Sequence, residues 1–84
     1  MGCQSMSTNI LISFGKAVRQ LRLEKHISQE EFAEICGLHR TYISDVELGK
    51  RNISLENIER ISFALGISIK QIFQLLECDN ATNL

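Results

Sequence analysis

The chain has 84 residues, enough for one domain with a single modest core and too few for two. Nine Lys and Arg against ten Asp and Glu give a formal net charge of −1. Bulk electrostatics therefore carry no nucleic-acid signal, and any anion site must come from local clustering.

Cys3, Cys36 and Cys78 are an odd set at wide spacing, which argues against a disulfide framework and fits a reducing, cytoplasmic setting. No apolar run reaches the length of a membrane span. The opening MGCQSMST lacks the basic and apolar regions of a signal peptide, and Met6 stands where a myristoylation start needs Ser or Thr. Residues 1–7 read as a flexible polar lead-in, residues 8–78 as the folded domain, and residues 79–84 as a frayed end. Proline is absent and apolar residues recur at helical spacing, which predicts an all-α chain.

The first helix carries Leu11, Phe14, Val18 and Leu21 as a stripe, with Arg19 and Arg22 off it. Gly15 interrupts it at a cost of roughly 1 kcal/mol relative to alanine. It ends near Lys25 and His26, where His is one of the few non-glycine residues tolerated in a left-handed cap. Ser28 and Glu31 form a capping box that opens a second helix. Its buried side is Phe32, Ile35 and Cys36, and Gly37 closes it. The third helix starts at His39 or Arg40, buries Ile43 and Val46, and stops before Gly49. Ser54 caps a fourth with Leu55, Ile58, Ile61 and Leu65, ended by Gly66. A second box, Ser68 and Gln71, opens a fifth with Ile69, Ile72, Phe73 and Leu76.

Two short helices joined by a few residues around Gly37 have the arithmetic of a helix-turn-helix. Ala33 is small where the helices approach, and Gly37 suits a turn with positive φ. Phe32, Cys36, Leu38, Ile43 and Val46 fill the apolar positions. From about Ile10 to Leu76 the chain resembles the compact five-helix DNA-binding domain of the lambda-repressor/Cro-like (XRE-type) family. The stretch RTYISDVELGKRNISLENIERISFALGIS resembles one branch more closely. That branch comprises the stand-alone controller proteins that regulate restriction-modification operons.

At helical spacing Arg40, Thr41, Ser44, Asp45 and Leu48 span one arc of the third helix, opposite Ile43 and Val46. Such a helix packs on its apolar side and offers the other to the major groove. The resemblance implies base-reading positions for Arg40, Thr41 and Asp45. Arg40 suits guanine, Thr41 a thymine methyl, and Asp45 a cytosine amino group or the exclusion of wrong partners. Tyr42 and Ser44 suit phosphate oxygens, and Gln29 holds the family's phosphate-clamping position at a helix N-terminus. Lys50, Arg51 and Asn52 follow the third helix and can hold the backbone, with Arg51 a candidate for the minor groove. Lys50 and Arg51 also read as ordinary loop charges, and Asp45 as a guard against promiscuity.

The resemblance also implies a structural ion pair between Arg22 and Glu47. His39 departs from the family pattern, where Ser, Thr or Asp caps the third helix, so its cap should be weaker. Cys36 and His39 offer half a metal site that nothing completes, so neither metal nor cofactor is expected. No nucleophile, base and orienting group come together, and no enzyme is expected.

Leu65, Ile67, Ile69, Ile72, Phe73, Leu75 and Leu76 exceed what one small core hides, which predicts a two-fold interface through helix five and the segment before it. The function implied is a homodimeric, sequence-specific transcription regulator on a pseudo-palindromic double-stranded DNA operator. The exposed acids Glu30, Glu31 and Glu34 offer a surface for RNA polymerase, or simply a solvated helix face. The alternative is a protein-interaction module of the same fold, an antitoxin or adaptor whose main partner is another protein.

Overall fold

Serine hydroxyls start three of the helices, and left-handed residues close the turns that follow α1, α2 and α4. The computed structural model describes the backbone of residues 6–82 and the side chains of residues 10–76. The helices are α1 Met6–Glu24, α2 Gln29–Cys36, α3 Arg40–Glu47, α4 Leu55–Leu65 and α5 Ile69–Thr82, with no strand among the described residues. Ser28 Oγ accepts from the Glu31 amide at 3.0 Å and Ser54 Oγ from the Asn57 amide at 3.2 Å. At α5 both halves of the box form. Gln71 N donates to Ser68 Oγ at 3.1 Å, and Ser68 N donates to Gln71 Oε1 at 2.9 Å. His39 takes the extended N-cap conformation of α3 without a side-chain cap bond, as its departure from the pattern implies.

The outer helices are longer than periodicity indicates. Helical backbone begins at Met6, inside the expected lead-in, and continues past Asp79 to Thr82. Neither glycine nor proline falls between Met6 and Phe14 or within α5, so nothing halts propagation. Residues 1–5 and 83–84 lie outside the described residues.

One core receives Phe14 and Val18 from α1, Phe32, Ala33 and Cys36 from α2, and Ile43 and Val46 from α3. Ile61 and Leu65 of α4 and Ile72 and Leu76 of α5 complete it. The third helix lies against α1 and α2, α4 closes on α2, and α5 runs along α1. Phe14 and Phe73 join that last pair, ring centroids 5.8 Å apart. Burial pushes the Cys36 thiol up to about 11, so at neutral pH it is a protonated apolar filler.

Burial differs from helical spacing in two places. Ile35 is 49% exposed and Ala33 takes its place in the core, because α3 and α4 both close on α2 and leave room only for a small side chain between. Of the residues assigned to a dimer interface, Leu65, Ile72 and Leu76 are enclosed in the protomer's own core, since α1 is long enough to cover the inner face of α5. Phe73 and Ile67 are half-buried against that core. Ile69 remains exposed, and Leu75 and Phe63 join it.

Gly15 has a structural reason to interrupt α1. A Cβ there would overlap the Val46 carbonyl oxygen and stand 2.7 Å from that of Glu47, so α1 crosses the end of α3 with no room for a methyl group. The obstacles are backbone atoms and cannot swing aside. Gly15→Ala should therefore lower stability by roughly 1–3 kcal/mol through overpacking, despite alanine's helix preference of about 1 kcal/mol. His26, at φ 61°, is the one non-glycine residue with positive φ among those described. Relieving that strain should make His26→Gly more stable by up to about 1 kcal/mol. Urea unfolding of both variants checks the pair: a fall for the first and a rise for the second.

Candidate nucleic-acid interface

The turn after α2 fixes the angle between the two short helices. Gly37 adopts φ 75°, its amide returns to Glu34 O at 3.2 Å, and the Leu38 amide reaches Ala33 O at 2.9 Å. Glycine takes this left-handed conformation without strain. Arg60 braces the turn from α4, its Nη1 reaching Gly37 O at 3.5 Å.

With Ile43 and Val46 fully buried, α3 turns its opposite side outward. Arg40 and Thr41 are exposed on its first turn, and Ser44 and Asp45 are half-buried one turn on. Lys50, Arg51 and Asn52 are exposed beyond its C-terminus. The Gly49 and Lys50 amides fold back onto Val46 O at 3.1 Å and Asp45 O at 2.9 Å. That reversal carries Arg51 alongside α3, where its Nη2 lies 3.3 Å from Asp45 Oδ2. The guanidinium also stacks 4.8 Å from the centroid of the Tyr42 ring. Tyr42 is anchored in turn by α4, because Asn57 Nδ2 donates to its hydroxyl at 2.9 Å. Its own O–H proton stays available for an acceptor. Arg51, Asp45, Tyr42 and Asn57 thus form one connected group at the edge of α3.

Gln29 is held from within the protein. Its Nε2 donates to Glu47 Oε1 at 3.0 Å. Glu47 is buried and also receives Arg22, from Nε at 2.7 Å and from Nη2 at 3.1 Å. Arg22 Nη1 continues to Ile27 O at 2.8 Å. The ion pair implied by resemblance is therefore present, and it holds Gln29 at the first position of α2. The remaining Nε2 proton of Gln29 is all its amide can still donate.

Sequence reasoning missed the Asn57 anchor and the Arg51–Asp45 contact. Asn57 carries no local signal, since its partner lies 15 residues away. Gly49 was the usable clue for Arg51, because a left-handed residue at a helix end returns the chain over the last turn.

A family model described as "Helix-turn-helix" matches residues 18–72, which include α2, α3 and the turn between them. The chain belongs to the helix-turn-helix family. Among its relatives, Control protein C.BamHI of Bacillus amyloliquefaciens is 53% identical over 76 residues, spanning 89% of this chain and 94% of the relative. Control protein C.MunI of a Mycoplasma species is 49% identical over 70 residues, with 82% and 95% covered. The crystal structure of the restriction-modification controller protein C.AhdI from Aeromonas hydrophila superposes with a TM-score of 0.74 at 42% identity. It covers 76% of this chain and 97% of that one. In this helix-turn-helix, α3 occupies the place of the recognition helix.

Removing Glu47 would strand a buried guanidinium and free both α3 and Gln29. Glu47→Ala should lower stability by roughly 3–5 kcal/mol. An unchanged urea midpoint would show that the pair does not anchor the helix-turn-helix.

Proposed function

We propose that this chain is a restriction-modification control protein, a transcription regulator that binds its operator as a homodimer. The observation that carries the reading is the outward face of α3. Arg40 and Thr41 are free of the core at the helix's N-terminal turn, the part of a recognition helix that comes nearest to base edges. The control-protein relatives match this helix-turn-helix over most of their own lengths, which favours this reading over a protein-interaction module.

In this account Arg40 reads guanine through O6 and N7, and Thr41 meets a thymine methyl. Gln29, Tyr42, Ser44, Lys50 and Asn52 hold the phosphates and so set register. The protein acts by binding alone, in the cytoplasm. None of the described helices is long and apolar enough to cross a membrane. Two copies associate through the exposed edges of Ile69, Leu75 and Phe63 with the outer sides of Ile67 and Phe73, placing two recognition helices about one DNA turn apart. The acids Glu30, Glu31 and Glu34 are exposed on α2, and in the bound dimer this patch faces RNA polymerase.

Fluorescence anisotropy with duplexes tiled across the DNA upstream of the gene tests the reading. Scrambled controls at about 0.15 M salt separate specific binding from phosphate binding. One duplex should bind at least about a hundredfold more tightly, with steep dependence on protein concentration. Arg40→Ala should lose roughly 1–3 kcal/mol of discrimination at one base pair in each half-site. Equal, weak binding to every duplex would instead point to a protein partner.

A further inference from the structure

Asp45 does not project freely from the recognition face. Its carboxylate lies 3.3 Å from the Arg51 guanidinium, which rests on the Tyr42 ring at 4.8 Å. Three features of the sequence build this arrangement. Tyr42 and Asp45 stand three residues apart and share one helical face. Gly49, at φ 74°, lets the chain reverse so that Arg51 lies beside them. Asn57 steadies the tyrosine from α4. The Arg51 and Asp45 side chains are 46% and 32% exposed, so the contact is too solvated to matter greatly for folding.

We infer that Asp45 governs DNA selectivity through Arg51, as a positioning residue that clamps the guanidinium on Tyr42, rather than by reading a base. The inference rests on the DNA-binding reading above. An unrestrained arginine on a long flexible stem finds a phosphate on any duplex, and such contacts ignore sequence. Held between a carboxylate and an aromatic face, the guanidinium donates only along the directions its planar fork leaves open. DNA seated in register by Arg40 and Thr41 places an acceptor there; a misaligned duplex does not. A phosphate that pulls Arg51 away also leaves the Asp45 carboxylate unpaired against the DNA's negative field. Asp45 thus suppresses non-specific binding more than operator binding.

A mutant cycle in DNA binding tests this, using the tightest duplex from the tiling series and a scrambled duplex of equal length. Asp45→Asn should raise affinity for the scrambled duplex about three- to tenfold. It should also steepen the slope of log K against log salt by about 0.9 per protomer, as the freed Arg51 takes one phosphate. With Arg51→Gln already in place, the same substitution should leave the slope unchanged and give a distinctly smaller gain, since only the carboxylate's own repulsion is then removed. An equal gain in both backgrounds would mean that Asp45 simply repels DNA, and would overturn the inference. Loss of preference at one base pair in both backgrounds would also overturn it, by making Asp45 a base reader. A DNA-free readout stands beside the cycle. The Arg51 side-chain protons should show an upfield ring-current shift from Tyr42, the chain's single tyrosine, and lose it in Asp45→Asn. An unchanged shift overturns the clamp. Equal binding of both duplexes by the wild type would overturn the regulator reading instead, with the ring-current result still deciding the clamp.

Discussion

One buried carboxylate ties the helix-turn-helix to α1. Glu47, the last residue of α3, takes two hydrogen bonds from Arg22 of α1 and one from Gln29 of α2. A charge in the core is strongly unfavourable unless paired and fully hydrogen-bonded. Among the described residues no buried side-chain nitrogen or oxygen lacks a partner. Because each bond has a direction, the network fixes where α3 ends relative to the start of α2. The close crossing at Gly15 fixes the same end against α1. Apolar packing alone tolerates sliding; a bidentate arginine fork does not.

From that fixed end the functional face follows. The C-terminal turn of α3 is pinned, so the reversal at Gly49 and the position of Arg51 are pinned with it. The first turn, with Arg40 and Thr41, projects from a rigid base that includes Ile43 and Val46 at zero exposure. This explains how a chain with nearly balanced charges can offer a DNA-binding surface. On α3 itself the two acids are each paired with an arginine, Glu47 in the interior and Asp45 at the edge, and the other acids lie on α1, α2, α4 and α5.

Much of the fold was legible because the helix termini are written in local chemistry. Ser28, Ser54 and Ser68 mark starts, while His26, Gly37 and Gly66 mark ends, and each acts within four residues of itself. Burial was less legible. Helical spacing indicates a face but not its width, so it places Ile35 inside where only Ala33 fits. An excess of apolar residues on α5 does not reveal whether α1 or a second copy covers them, and Leu65, Ile72 and Leu76 proved to be core. The site divided the same way. Arg40 and Thr41 could be placed from the period of α3, whereas the Gln29–Glu47 and Asn57–Tyr42 bonds join residues 18 and 15 apart. No periodic rule reaches that far.

By these contacts the Arg22–Glu47 pair serves to position α3 and Gln29 more than to stabilise the fold. Replacing both partners, Arg22→Met with Glu47→Leu, separates the two roles, since apolar residues of similar volume often match a buried ion pair in stability. The decisive measurement is the operator affinity of this double variant beside its urea midpoint. The account predicts a midpoint near that of the wild type and an affinity at least about tenfold weaker, because the phosphate contacts that set register lose their anchor. A stable double variant with wild-type affinity would contradict it.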